Sequence, residues 1–282
     1  ANGMGGLIAP EVFSKLPVNL DLLYGELDGS FPNHPADPIQ AENLVDLARR
    51  VVETKSDVGL AFDGDADRVF LVDDLGQPLS GSTTTAIVAK FMLEKYPGST
   101  VLHNLICSKS VPEIVRECGG TPIRTRVGHS FIKAEMAASD AVFGGEHSGH
   151  YYFRDNYRAD SGIIAAMVVL SVLVRTGVSL SQLRREYERY SDSGEINTKV
   201  SNAKAVLDTL VPKLEEMGAT IDLLDGVTAD FGDWWCNIRP SNTEPLLRLN
   251  VEASNEDELQ SKVSMIKNLI GSVSGDSSES DQ

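Results

Sequence analysis

A chain of 282 residues, 41% hydrophobic and 23% charged, has the composition of a folded multidomain protein with apolar material for more than one core. Its formal net charge of −16 argues against a broadly cationic surface, so neither nucleic acid nor an acidic membrane is an expected partner. Cys107, Cys118 and Cys236 are widely spaced and odd in number, which fits neither a disulfide framework nor a zinc pattern and suits a reducing, cytoplasmic setting.

The chain opens on Ala-Asn-Gly-Met-Gly-Gly, which reads as a turn after a strand with no strand before it, and a truncated start is expected. β-like runs at 58–62, 69–73, 100–106 and 141–143 alternate with helix-like runs at 83–95, 111–118 and 131–138, the signature of α/β layers. A helix over 160–175 stops at Thr176-Gly177, and Ser179 caps the next, over 180–190. The apolar run at 162–174 is interrupted by Ser171 and is too short to span a bilayer, so it reads as a buried helix.

From Ser191 the order becomes strand 195–200, helix 203–217, strands 220–224, 234–238 and 246–253, and helix 257–269, a smaller α+β pattern. The expected units are 1–77, 78–190 and 191–273, with a polar, acidic, disordered tail at 274–282.

Phe62-Asp63-Gly64-Asp65-Ala66-Asp67-Arg68 sets three carboxylates two residues apart on a tight loop between two β-like runs. Hard oxygen ligands on a short turn suit Mg²⁺. An EF-hand needs glycine at the sixth position and glutamate at the twelfth, where this chain has Arg68 and Asp74. A solvated acidic turn is the other reading.

Phe143-Gly144-Gly145-Glu146-His147-Ser148-Gly149-His150-Tyr151 packs an acid, a hydroxyl and two imidazoles among glycines, either a sugar-hydroxyl loop or an exposed turn. Arg239-Pro240-Ser241-Asn242-Thr243-Glu244-Pro245, followed by Arg248, combines guanidinium forks with hydroxyl and amide donors, as phosphate recognition requires. Surface pairs with nearby carboxylates are the alternative for these arginines. Thr125-Arg126-Val127-Gly128-His129-Ser130-Phe131-Ile132-Lys133 sets His129 at a helix start, as a candidate acid or base or as a surface histidine.

Together FDGDADR, TRVGHSFIK, GGEHSGHYYF and RPSNTEPLLR occur in the order seen in the α-D-phosphohexomutase superfamily, and the chain resembles that family from residue 1 to about residue 270, in its phosphomannomutase/phosphoglucomutase branch. The resemblance implies the end of a second α/β domain, a whole third one, and a C-terminal α+β domain of the TATA-box-binding-protein-like kind. By motif it implies Asp63, Asp65 and Asp67 as Mg²⁺ ligands, Arg68 and His129 beside the reacting groups, and Glu146 and Ser148 on sugar hydroxyls, with His150 and Lys133 as further substrate contacts. Arg239, Ser241, Asn242, Thr243 and Arg248 would grip the phosphate of a hexose phosphate substrate.

Two departures follow. The family's phosphoserine sits in a TASHNP-like loop of a first domain that this chain lacks; Ser30, in Ser-Phe-Pro-Asn-His-Pro, is expected to be structural. Ile106 stands before Cys107 where many members have lysine, which removes one acid/base candidate. A mutase fragment unable to complete the cycle alone is the expected function; a non-catalytic phosphosugar-binding protein and a calcium module are the competing readings.

Overall fold

The computed structural model describes residues 1–241 and 244–274, so Asn242, Thr243 and the predicted tail beyond Ser274 lie outside the described residues. The chain divides into two compact units, Ala1–Glu188 and Arg189–Gln282.

The first unit begins with α1 (Gly5–Phe13) and α2 (Val45–Thr54), followed by the antiparallel pair β1 (Val58–Phe62) and β2 (Val69–Asp73). Its centre is α3 (Gly81–Lys95), capped by the Ser80 side chain, which accepts from Thr83 N at 3.0 Å. Every residue from Gly81 to Ala89 is buried, so the first turns of α3 have no outward face, and its exposed residues, Glu94 and Lys95, come only at its end. Burying a side chain such as Ile87 or Val88 this completely contributes about 1.5–3 kcal/mol each.

Beside α3 runs a five-stranded sheet in the order β4 (Thr121–Thr125), β3 (Thr100–Asn104), β5 (Phe143–Gly145), β6 (Tyr151–Phe153), β7 (Ala159–Asp160). The first three strands are parallel and the last three antiparallel. The parallel crossovers use α4 (Ser110–Glu117) and α5 (His129–Ser139). The unit ends with α6 (Gly162–Thr176) and α7 (Leu180–Tyr187), the latter opened by a reciprocal capping box between Ser179 and Gln182.

In the second unit, β10 (Thr220–Asp222), β11 (Val227–Asp230), β12 (Trp235–Pro240) and β13 (Leu246–Ala253) form an antiparallel run. Both β8 (Ser191–Asp192) and β9 (Ile196–Lys199) pair with β13. Two helices, α8 (Ala203–Glu216) and α9 (Glu256–Ser274), contribute Leu210, Leu214, Ile266 and Ile270 to a core with Trp234, Ile238 and Leu249.

The differences from expectation are local. The turn expected over residues 1–6 gives way to a helix at Gly5, which runs to Phe13: Met4 N donates to Gly64 O at 2.9 Å and ties the helix start to the carboxylate loop. The strand expected over 100–106 ends at Asn104, because Cys107 N turns back to Asn104 O. The helix expected from residue 160 starts at Gly162: Ser161 accepts from Ile164 N at 3.2 Å as its cap, and Asp160 belongs to β7. Short strands β4, β6, β7 and β11 carry too little alternation to be read alone, and β4 holds Pro122, tolerated because β4 is an edge strand. No disulfide joins the three cysteines, and among the described residues no single helix is long and apolar enough to cross a membrane.

Candidate functional site

The carboxylate loop links β1 to β2. Asp63 is 4% exposed and accepts twice from Arg68, from Nε at 2.8 Å and from the backbone N at 3.1 Å. Burial pushes the Asp63 carboxyl upward, but these Arg68 hydrogen bonds outweigh it and the net shift is downward. Arg68 also approaches Asp37 Oδ1 at 3.8 Å. Ligand oxygens of Asp63, Asp65 and Asp67 lie within 4.8 Å of one another. Burial, with the neighbouring charges of Asp63, Asp65 and Asp160, raises Asp67 to about 6. Three oxygen donors that crowd one another in this way fit a hard divalent cation, which would relieve the repulsion.

The glycine-rich loop between β5 and β6 sits directly against the carboxylate loop. Val69 N donates to Gly149 O at 3.2 Å, and His150 Nε2 lies 3.7 Å from Asp67 Oδ1. Gly149 has φ +87, and a Cβ there would come within 2.5 Å of the Phe70 ring, so both backbone and space demand glycine. At the start of α3, a Cβ on Gly81 would meet His147 O at 2.2 Å, and the missing side chain lets the central helix abut the loop.

Glu146 is a hub rather than an open acceptor. At 1% exposure its carboxylate accepts from Tyr152 Oη at 2.9 Å, Gly128 N at 3.1 Å and Asn104 Nδ2 at 3.4 Å, and His150 Nδ1 lies 3.5 Å away. These partners use most of a carboxylate's lone pairs, so Glu146 would exchange one of them to reach a sugar hydroxyl. Ser148 Oγ pairs with His150 Nδ1 at 3.0 Å. Burial lowers the His150 pKa, an effect opposed by the charge of Glu146.

His129 opens α5 just after Gly128, its ring 4.3 Å from that of His150 in an edge contact. Its Nδ1 lies 3.2 Å from Asp160 Oδ2, and Lys133 Nζ, one helical turn on, lies 3.5 Å from Asp160 Oδ1. Asp67, His129, His150 and Asp160 thus form a second group whose ligand atoms fall within 4.8 Å. The sequence-predicted residues Asp63, Asp65, Asp67, Arg68, His129, Lys133, Glu146, Ser148 and His150 are therefore all in the first unit, linked by these contacts. Asp160, Tyr152 and Asn104 join them without having been picked out. In the sequence Asp160 reads only as the first residue of the helix expected over 160–175.

A cleft of about 790 Å³ beside α1, α2 and β1 takes in Asp63 but neither His129 nor Glu146. Its lining mixes apolar residues along β1 with polar ones such as Asn43, Arg50 and Asp74, and it meets the polar constellation only at Asp63.

In the second unit, Arg239 and Arg248 are register partners on β12 and β13. Arg239 is 7% exposed and donates to Asn250 Oδ1 at 2.8 Å and Asn237 Oδ1 at 3.3 Å. Arg248 Nη2 lies 3.4 Å from Ser241 Oγ. Glu195, at the start of the β9 segment, contacts both arginines. Burial lowers the Arg239 pKa and Glu195 counteracts it. Asn242 and Thr243, expected to complete this loop, lie outside the described residues.

Three family models match in chain order: "Phosphoglucomutase/phosphomannomutase, alpha/beta/alpha domain II" over residues 1–76, "alpha/beta/alpha domain III" over 80–190, and the C-terminal domain over 195–269. The chain belongs to the phosphoglucomutase/phosphomannomutase family. It is 39% identical over 273 residues to a phosphomannomutase of Methanocaldococcus jannaschii, covering 97% of this chain and 60% of that protein. It is 36% identical over 278 residues to a phosphomannomutase of Salmonella montevideo, covering 96% and 61% respectively. A crystal structure of a phosphoglucomutase/phosphomannomutase family protein from Burkholderia thailandensis superposes with a TM-score of 0.88 at 29% identity, over 96% of this chain and 59% of that one. This family member thus spans about 60% of the length of the curated relatives it matches.

Proposed function

We propose that the chain is the metal-, sugar- and phosphate-binding part of an intramolecular phosphotransferase that interconverts hexose 1-phosphate and hexose 6-phosphate, of mannose or glucose. The observation that carries this reading is the seam between two loops far apart in sequence. The backbone bond from Val69 to Gly149 and the approach of His150 to Asp67 bring an acidic, cation-suited turn against a histidine- and hydroxyl-bearing loop.

In the proposed cycle a phosphoserine donates its phosphoryl group to the free hydroxyl of a hexose monophosphate, giving a bisphosphate and free serine; the other phosphate then returns to serine. The phosphoserine belongs to a TASHNP-like loop in a domain outside this sequence, so this chain alone does not complete the cycle. Mg²⁺ bound by Asp63, Asp65 and Asp67 would offset charge on the transferring group. Arg68, tied to Asp63, would supply a fixed cation beside that group. His129 would handle the hydroxyl proton, with Lys133 and His150 as neighbouring donors. Ser148 would meet sugar hydroxyls, and Glu146 chiefly holds the loop in shape. Arg239, Ser241 and Arg248, with Asn242 and Thr243, would hold the phosphate that is not transferring. A cytoplasmic setting accords with the acidic composition and unbridged cysteines.

The test is ³¹P NMR of mannose 1-phosphate or glucose 1-phosphate incubated with Mg²⁺ and catalytic hexose 1,6-bisphosphate. A longer polypeptide carrying the serine loop should convert them to 6-phosphates, and this chain should not. Turnover by this chain would overturn the dependence on the serine loop; none by the longer chain would favour a phosphosugar-binding protein.

A further inference from the structure

Asp160 is held from three directions. It pairs in register with Tyr152 on β6 and is followed by the Ser161 cap of α6. The next residue, Gly162, is packed so closely that a Cβ would meet Arg68 O at 2.7 Å. The Asp160 side chain is 8% exposed and has no freedom to follow solvent. Its two oxygens are divided between two candidate acid/base groups: Oδ2 faces His129 Nδ1 at 3.2 Å and Oδ1 faces Lys133 Nζ at 3.5 Å. Oδ2 is buried and makes no aligned hydrogen bond, so the contact with His129 is close in distance but not yet closed in angle. Pairs of this kind commonly tighten when substrate arrives.

We propose that Asp160 is a positioning residue that fixes His129 as the Nδ1–H tautomer and orients Lys133 beside it. A carboxylate only accepts, so for this 3.2 Å contact to close into a hydrogen bond the facing Nδ1 must carry the proton. The lone pair of neutral His129 is then left on Nε2, the arrangement an imidazole needs to take a proton from a hydroxyl while an acid steadies its other face. Tyr152 completes the frame: its ring lies 5.7 Å from that of His129, beneath Lys133 Nζ at 5.8 Å, and its hydroxyl is spent on Glu146. A merely structural Asp160 would need to satisfy Lys133 alone and would leave the tautomer of His129 to its solution preference.

The catalytic value of this device rests on the mutase reading, but the device is measurable without ligand or turnover. Long-range ¹H–¹⁵N correlation on the whole ¹⁵N-labelled chain, with the His129 signals assigned by His129→Gln, reports which ring nitrogen is protonated. The expected result is Nδ1–H in the wild type, a swap of the protonated nitrogen to Nε2 in Asp160→Asn, and restoration of Nδ1–H in Asp160→Glu. Nε2–H in the wild type overturns the proposal whether or not the variants fold, as does an Nδ1–H signal that persists in a folded Asp160→Asn. Failure of hexose phosphate binding would overturn the mutase reading and leave this tautomer result intact.

Discussion

Glu195 Oε2 lies 2.5 Å from Arg239 Nη2, and the other oxygen of the same carboxylate lies 3.3 Å from Arg248 Nη1, so one acid bridges both arginines of the phosphate loop. The pair therefore presents one net positive charge instead of two. A phosphate dianion that bound there would meet a like charge at the point where its own oxygens are best received. On the proposed reading Glu195 would have to give way, and the arginines would pass from an internal anion to an external one.

Glu195→Gln should accordingly tighten binding of a hexose monophosphate, by about tenfold, or ~1.4 kcal/mol. Isothermal titration of mannose 6-phosphate into both proteins measures it. Weaker binding by the variant would mean that Glu195 braces Arg239 and does not compete with phosphate.

Asp65 is the exposed member of the carboxylate triad, so its replacement tests metal binding with little cost to the fold. Asp65→Asn should lower Mg²⁺ affinity by at least about tenfold, since a hard cation loses an anionic ligand. The unfolding temperature should stay close to that of the wild type. Asp63→Asn should do more damage, because Arg68 would lose its buried partner. Calorimetric Mg²⁺ titration and thermal melts separate the two effects.

His103, buried on β3, has its pKa lowered by burial to about 4. The unfolded chain takes up this proton near about 6.5. Between those values the unfolded state binds more protons, so this contribution to stability is complete above the unfolded pKa and falls as pH drops toward the folded one. The loss between about pH 7 and about pH 5 is about 2 kcal/mol. His103→Gln should lack that part of the pH dependence in urea unfolding. Identical slopes with pH in the two proteins would contradict the assignment.

Gly81→Ala places a methyl group against the His147 carbonyl, where the available distance is 2.2 Å. Neither the buried first turn of α3 nor a backbone carbonyl yields easily, so a loss of about 1–3 kcal/mol is expected. The glycine-rich loop should shift with it, and hexose phosphate affinity should fall. A thermal melt unchanged from wild type would show that the loop moves freely away from α3.

How far the sequence spoke depended on how local each feature was. The triad of Asp63, Asp65 and Asp67 could be read directly, because one tight turn between two apolar strands brings its oxygens together. Ser179 and Gly177 likewise punctuate α6 and α7 through contacts a few residues apart. Asp160 was hidden, since its meaning depends on a two-residue strand whose register with Tyr152 is set by the whole sheet. Glu195 was hidden for a similar reason: it reaches Arg239 and Arg248 only because β9 pairs with β13 and β13 with β12. Glu146 was visible as a polar residue in a glycine loop, but its burial and its partners Tyr152, Gly128 and Asn104 come from three other segments.

The central claim, that this chain holds a hexose phosphate with the help of a cation, is tested most directly by calorimetric titration of glucose 1,6-bisphosphate into the whole chain with and without Mg²⁺. Saturable binding that weakens when Mg²⁺ is removed, and weakens again in Asp65→Asn and in Arg248→Ala, is the predicted result. No binding, or binding indifferent to Mg²⁺ and to both substitutions, would contradict it.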